Sequence, residues 1–238
     1  MQFFEGTMVF FDRMVRIFSR YANFFGQGVQ NTLILAVFTV LIGTVLGTFL
    51  AIMRMSAFKP ARWFSVAYIE FIRGTPLMIQ LMFLFYGLPM LGIKLPKIDA
   101  IPSFDRFVAG VIAMSINSSA YVAEIIRSGI QAVDRGQTEA AQSLGFRNGQ
   151  TLSLVVLPQA IKNILPALGN EFVTIIKESS LTSVIGIADL MHRTNGVIAN
   201  TYIQLESLTI AALIYFILTF ATSQFIAFAE RRMANGSR

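Results

Sequence analysis

The 238-residue chain contains no cysteine and only one histidine, His192. The missing cysteines exclude a disulfide framework, thiol chemistry and a zinc–thiolate site, and one histidine cannot build a histidine cluster. We therefore expect no metal site. Charged residues are also scarce, at 13% of the chain, which is about half of the share usual in soluble domains. A disordered chain is excluded as well, because it needs the opposite composition.

Apolar residues are abundant where charges are scarce. They make up 55% of the sequence, and 22 residues are phenylalanine. The few charges could not cover this much apolar surface in water, so the composition predicts a membrane protein. The formal net charge of +6 could indicate nucleic-acid binding in a soluble protein. In a membrane protein it is typical of basic cytoplasmic loops.

Runs without charged residues indicate where the chain crosses the membrane. Four of them approach the ~20 residues that ~30 Å of hydrocarbon requires, namely 32–53, 74–93, 107–123 and 207–229. Residues 151–176 are also mostly apolar, although they include Lys162, Glu171 and two prolines. Membrane helices tolerate proline where neighbouring groups satisfy the freed backbone. The sequence thus predicts an all-α membrane protein with five transmembrane helices, and Pro166 is the candidate position for a break in the fourth.

Five spans place the two termini on opposite sides of the membrane. Basic residues are slightly more numerous on the side of the C-terminus, which weakly favours a cytoplasmic C-terminus. The pattern over residues 1–27 predicts an amphipathic helix, because aromatic residues follow helical spacing and three arginines lie on another face. This helix lies in the membrane interface or packs across the outside of the bundle. We assign the transmembrane domain to residues 28–230 and a cytoplasmic tail to residues 231–238.

The loop between the third and fourth spans, residues 134–158, has a distinctive pattern. It contains Glu139-Ala140-Ala141, then Gly145, and then Leu157-Pro158. Alanine and glutamate favour a short helix, and Gly145 permits a turn that other residues resist. An apolar helix restarts at residue 146. The pattern predicts a compact two-helix knob on the membrane surface, which can transmit force only by docking into a partner.

The spacing of this loop resembles the signature of bacterial ABC-importer permeases. In that signature Glu-Ala-Ala is followed by three residues, Gly, nine residues, Ile or Val, one residue and Leu-Pro, and every spacing matches here. Other segments resemble the polar amino acid subgroup of this family, in the same order, namely FIRGTP at 71–76, AYVAE at 120–124, GNEF at 169–172 and KESSL at 177–181. The resemblance covers nearly the whole chain.

This resemblance implies the type I ABC importer permease fold in a bacterial inner or plasma membrane. It implies an external N-terminus, a cytoplasmic C-terminus, and uptake of a polar amino acid. The implied partners are two cytoplasmic ATPase subunits, a second copy of the permease or a homologous permease, and an external solute-binding protein, with no nucleic acid. The residues implied to form the coupling helix, which fits a groove on the ATPase, are Glu139, Ala140, Ala141 and Gly145.

The chain itself lacks the phosphate-binding pattern Gly-x4-Gly-Lys-Ser/Thr, since no glycine is followed by lysine. We therefore expect that it binds no cofactor, and that ATP and Mg²⁺ bind to the partner ATPase.

Ionisable side chains at membrane depth are costly and usually mark a pathway or an ion pair. Glu171 lies ~20 Å along its span from Pro158. It is seven residues from Glu178, so the two share one face if the helix continues. Asn117 and Tyr121 share a polar face of the third span. The predicted substrate-binding residues are Glu171, Glu178, Asn117 and Tyr121.

The resemblance favours a basic substrate such as arginine, and glutamine stays open. Other roles are possible for these residues. Glu178 could pair with Lys177, and Glu171 with Lys162 or Asn117. Asn117 and Tyr121 could also serve as polar contacts between helices.

Three further spacings suggest specific contacts, two of them ion pairs in the membrane interface. Two i,i+3 ion pairs are predicted, Glu70 with Arg73 and Glu124 with Arg127. Gly43 and Gly47 have a small-xxx-small spacing that allows close helix packing, within the subunit or at a dimer interface.

Two other function classes are less compatible with the sequence. A self-contained secondary transporter or channel is usually built from paired repeats, and no internal repeat is evident in five spans. A membrane enzyme needs a catalytic cluster, and the chain has no cysteine, a single histidine and no carboxylate cluster around a nucleophile. We therefore predict a transport subunit with no catalytic residues.

Overall fold

The computed structural model describes residues 2–98 and 103–235, with side chains over 6–98 and 103–232. The predicted all-α architecture is confirmed. The helices are α1 (Gln2–Met55), α2 (Lys59–Arg73), α3 (Leu77–Met90), α4 (Phe104–Gln131), α5 (Arg135–Ser143), α6 (Asn148–Thr151), α7 (Leu157–Glu178), α8 (Leu190–Thr201) and α9 (Gln204–Asn235). A π-helical turn, Leu152–Val156, joins α6 to α7, and a 3₁₀ helix, Ser179–Ile185, follows α7.

Within the described residues, four helical segments are long and apolar enough to cross a membrane: Gly6–Met55, Phe104–Gln131, Asn148–Ile185 and Gln204–Arg232. Helices α2 and α3 pass the same test only together, and they are bent by 104° at the break between them. The described part of the chain therefore holds four spans, or five if the bent pair crosses as one.

The apolar run 74–93 does not form the straight span that the sequence predicts. Gly74 caps α2, since its N–H donates to the carbonyl oxygen of Glu70 at 2.9 Å. Pro76 disfavours the helical conformation of the residue before it, so α3 begins only at Leu77. The backbone chemistry of Gly74 and Pro76 therefore shortens the helix that hydropathy alone suggests.

The predicted break at Pro166 is wrong, because α7 continues through Pro166 to Glu178. Proline removes one backbone hydrogen bond without ending a membrane helix where neighbouring groups compensate. The irregular backbone lies instead at the two ends of α7, in the π-helical and 3₁₀ turns. Because α7 is continuous, Glu171 and Glu178 do share one helical face.

The N-terminal arm is continuous with the first span in α1, which bends at Tyr21 (φ −112°, ψ 15°). The arm packs against α8 and α9, since Ile17 and Phe25 form a buried cluster with Leu190, Val197 and Ile210. This contact supports the packed-helix interpretation of the arm. At the other end of the chain, α9 extends to Asn235, so the predicted tail begins as helix, and residues 236–238 lie outside the described range.

The chain divides into two compact units. The first comprises Met1–Phe38, Met78–Ala113 and Thr174–Ala221, and the second comprises Thr39–Leu77, Met114–Val173 and Thr222–Arg238. The described residues of the first include the apolar cluster described for the arm and another around Leu81, Ala109 and Ile185. The core of the second unites Leu50, Ile69 and Ala120 from α1, α2 and α4.

Gly43 and Gly47 pack α1 closely against α4 inside the second unit. A Cβ atom at Gly43 would lie 3.0 Å from the side chain of Ser118. At Gly47 it would lie 2.7 Å from the side chain of Val122 and 2.8 Å from the carbonyl oxygen of Ser119. The small-xxx-small spacing therefore serves a helix contact within the subunit.

Candidate transport path and coupling loop

Helix α4 carries a dense group of buried polar side chains in the second unit: Ser115, Asn117, Ser118 and Ser119. The Ser119 hydroxyl donates to the carbonyl oxygen of Ile116 at 2.7 Å and lies 3.0 Å from the Tyr68 hydroxyl. Polar groups at membrane depth are costly unless they are paired or line a polar path. This part of α4 is therefore the strongest candidate for a path through the membrane.

Glu171 on α7 contacts this polar part of α4. The Ser118 hydroxyl donates to its carboxylate at 2.9 Å. Asn117 is next to Ser118 in the sequence and is buried, whereas Tyr121 is 37% exposed, one helical turn further along. Three of the predicted substrate-binding residues, Glu171, Asn117 and Tyr121, thus lie in one unit on two helices. Ser118 was not among the residues predicted from the sequence, although its spacing of three residues from Tyr121 was visible there.

Glu178 belongs to the first compact unit. It is the last residue of α7 and is half-buried, and its neighbour Lys177 is exposed. It lies seven residues beyond Glu171 along α7.

Glu124 binds more cationic groups than the sequence indicated. Its predicted pair with Arg127 is confirmed, with Arg127 Nε donating to Oε1 at 3.1 Å. Arg54 Nη1 donates to Oε2 at 2.8 Å, and Arg73 Nη1 lies 3.9 Å from the same oxygen. Long-range pairs of this kind leave no periodic signal in the sequence.

The predicted pair of Glu70 with Arg73 is wrong. Glu70 is exposed, and it takes part in no salt bridge among the side chains that the structure describes. Arg73 ends α2 at the bend and turns instead toward Glu124, whose carboxylate is only 21% exposed, and toward the Tyr121 ring. An ion pair is stronger where fewer water molecules screen it, which explains the preference.

The predicted turn at Gly145 is confirmed. Helix α5 begins at an N-cap, where Asp134 Oδ1 accepts from the backbone N–H of Gly136 at 2.7 Å. It ends in a Schellman motif, in which the N–H of Gly145 donates to Gln142 and that of Phe146 donates to Ala141. Gly145 adopts φ +87°, a left-handed conformation that glycine accepts without a Cβ clash.

Side-chain hydrogen bonds hold α5 against the helices that follow. Gln142 Nε2 donates to Asn148 Oδ1 at 3.1 Å, and Gln159 Nε2 donates to Gln137 Oε1 at 3.3 Å. Ala141 faces inward and is 4% exposed. Glu139, Ala140 and Gly145 are exposed. A compact helical knob therefore presents these three residues to solvent, while Ala141 anchors it.

A cavity of about 750 Å³ lies within this region of the second unit. It is bounded by the end of α4, by α5 and by the π-helical turn, and its lining includes Gln131, Arg135, Thr138, Asn148 and Leu152.

Comparison with known proteins assigns this architecture. Residues 43–235 match the family described as the binding-protein-dependent transport system inner membrane component. The arginine transport system permease protein ArtQ of Bacillus subtilis (strain 168) is 43% identical over 208 residues, covering 87% of this chain and 91% of that protein. The probable glutamine ABC transporter permease protein GlnM of the same organism is 38% identical over 216 residues, covering 91% and 94%.

A solved structure agrees with these relatives. The crystal structure of an amino acid ABC transporter with histidines contains a chain 48% identical to this one, with a TM-score of 0.84 over 90% of this chain and 96% of that chain. The fold is that of a type I ABC importer permease. The chain belongs to the binding-protein-dependent inner membrane component family, as a permease subunit of the amino acid ABC transporter type, and such a subunit transports solute across a membrane without being a catalytic enzyme.

Proposed function

We propose that this chain forms the membrane pathway for uptake of a polar amino acid, with arginine or another basic amino acid as the first candidate and glutamine as the second. The observation that carries the proposal is the carboxylate of Glu171, which lies in a membrane span and accepts a hydrogen bond from Ser118. Relatives named for arginine and for glutamine transport support this order of candidates.

A carboxylate in this position suits a cationic solute. An ionised group at membrane depth is stabilised by an opposite charge close to it, and the ammonium or guanidinium group of a basic amino acid supplies one. The Ser118 hydroxyl orients the carboxylate. In this proposal Asn117 and Tyr121 contact the rest of the solute, and Glu178, the last residue of α7, is a separate substrate contact.

We propose that α5 is the coupling helix. Glu139, Ala140 and Gly145 are exposed on the knob and Ala141 anchors it, so the knob presents a shaped surface to a partner. Two ATPase subunits would bind ATP and Mg²⁺ and dock at this surface, while this chain holds no cofactor. The remaining partners are an external solute-binding protein and a second permease, identical or homologous. The N-terminus is outside and the C-terminus is cytoplasmic.

The substitution Glu171→Gln tests the substrate contact. Removing the charge should raise the arginine concentration for half-maximal stimulation of ATPase activity by about tenfold or more, because hydrogen bonds to charged groups contribute about 1.5–3 kcal/mol. The measurement uses the complex of this chain with its co-expressed ATPase in proteoliposomes.

Glu70→Gln is the matched control, since Glu70 is exposed and the same charge is removed. An unchanged concentration dependence in Glu171→Gln would contradict direct contact. Arginine uptake that continues without ATP hydrolysis would instead indicate a secondary transporter.

A further inference from the structure

Arg73 lies at the bend between α2 and α3. It is the last residue of α2, immediately before the break at which α2 and α3 bend by 104°. The α2 helix therefore ends at this side chain, and the chain changes direction directly after it.

Three guanidinium groups converge on the single carboxylate of Glu124, and Arg73 is the most weakly held of them. Arg54 and Arg127 donate to the carboxylate at 2.8 Å and 3.1 Å, whereas Arg73 Nη1 is 3.9 Å from Oε2. The Arg73 side chain is 37% exposed, against 18% for Arg54 and 26% for Arg127. If Arg73 moved away, Glu124 would keep two partners, so the movement would leave no unpaired charge behind.

The second contact of Arg73 is an aromatic ring. Its Cζ atom lies 5.5 Å from the ring centroid of Tyr121, a distance at which a guanidinium is attracted to the ring face. The ring face of Tyr121 and the carboxylate of Glu124 thus form a binding site for a guanidinium group. The side chain of Arg73 occupies this site.

This site lies next to the Glu171 contact on α4. Tyr121 is three residues from Ser118, so the two are neighbours on the helix surface, and Tyr121 and Glu124 share one face with Asn117 at spacings of four and three. Glu124 is ~9 Å further along α4 than Ser118, in the direction of α5. A solute that leaves Glu171 along this face would meet Tyr121 and Glu124 next.

We propose that Arg73 is a specificity-determining residue, a tethered competitor whose guanidinium covers the Tyr121 ring until a cationic amino acid displaces it. This inference rests on the proposed function. A substrate guanidinium would take the same ring face, while the contacts of Arg54 and Arg127 keep Glu124 in place. A neutral solute has no cationic group to place on the Tyr121 ring, so displacing Arg73 would not strengthen its binding. The residue would therefore change the affinity for cationic solutes selectively.

The test measures equilibrium binding of L-arginine and of L-citrulline, its nearly isosteric neutral analogue, to the purified complex with the ATPase subunit. Arg73→Ala should bind L-arginine about fivefold more tightly, the change expected from a contact of about 1 kcal/mol. The affinity for L-citrulline should stay the same. Arg62→Ala is the matched control, since Arg62 is an exposed arginine of the same helix, and it should leave both affinities unchanged.

Two further variants separate competition from a structural effect. Arg73→Lys keeps the charge but lacks the planar guanidinium, so it should give an intermediate arginine affinity even if Arg73→Ala folds poorly. In a Tyr121→Leu background, Arg73→Ala should no longer improve arginine binding, because the ring face is gone.

Equal changes for arginine and citrulline, or wild-type affinity in Arg73→Ala, would overturn the inference while leaving the proposed function standing. A wild-type complex that binds neither L-arginine nor L-citrulline would overturn this inference and also the choice of a basic amino acid as the first candidate substrate.

Discussion

Asp189 shows how strongly its surroundings can change the pKa of one side chain. It caps the N-terminus of α8, with His192 N–H donating to Oδ1 at 2.9 Å and Met191 N–H donating to Oδ2 at 3.2 Å. The Tyr215 hydroxyl also donates to Oδ2 at 3.2 Å. Asp189 is completely buried, although it lies outside the membrane-spanning segments. Burial raises the pKa of Asp189 to about 6, against the opposing effect of these hydrogen bonds.

This pKa makes stability depend on pH in a definite direction. The pKa in the folded state, about 6, exceeds the ordinary value of 3.8, so the folded state binds the proton more tightly. The resulting stabilisation is fully present below the ordinary pKa and is lost as pH rises through about 6, by about 3 kcal/mol in total.

We expect the melting temperature of wild-type protein, relative to Asp189→Asn, to fall between about pH 4 and about pH 7. Asparagine keeps the cap but does not titrate in this range. Asp134→Asn, at the exposed cap of α5, should retain the wild-type pH dependence. Parallel curves for wild type and Asp189→Asn would contradict the assignment.

At this scale the sequence predicts some residues better than others. Glu171 was predictable because an acid inside an apolar run is conspicuous whatever it contacts. Asp189 was not, since an aspartate before a helix is an ordinary cap and its burial depends on distant residues. The third guanidinium beside Glu124 was hidden for the same reason, because Arg73 and Glu124 are far apart in the chain.

Among the helices and turns, the loop that carries α5 follows its sequence most closely. Caps and turns depend on local chemistry, and the left-handed Gly145 lies where the sequence predicts a turn. Whether a helix stays straight or bends depends less on local sequence. The bend between α2 and α3 and the continuity of α7 through Pro166 depend on which backbone groups find partners, so hydropathy predicted neither.

Gly145 allows a test of α5 as the coupling helix. A Cβ atom at Gly145 would meet nothing within 4 Å, so only its φ of +87° disfavours a side chain. Gly145→Ala should destabilise the end of α5 by about 1 kcal/mol. We expect reduced amino acid uptake per ATP hydrolysed in proteoliposomes, with normal assembly of the complex.

Gly149→Ala is the control for this experiment. Gly149 lies in the same loop, and a Cβ atom there would likewise meet nothing within 4 Å, but this glycine lacks a positive φ. This variant should transport normally. Normal coupling in Gly145→Ala would argue against a role of this turn in force transmission.

For the molecule as a whole, the cysteine-free sequence offers a direct test of topology. Lys94 and Leu144 are both exposed, and the proposal puts Lys94 outside and Leu144 in the cytoplasm. A membrane-impermeant maleimide should label Lys94→Cys in intact cells, and should label Leu144→Cys only after permeabilisation. The native chain provides the background, because it has no thiol. The reverse labelling pattern would invert the proposed orientation.

The sequence by itself determined that the protein lies in a lipid bilayer. It also determined the fold class and the family. Composition demands a bilayer, and the spacing of the 134–158 loop is set by local turns and caps that few sequences share. Only the tertiary structure decided that Gly43 and Gly47 pack within the subunit, that Ser118 holds Glu171, and that Arg73 covers Tyr121. These contacts join residues distant in the chain, and their energies depend on burial and distance, which no local pattern encodes.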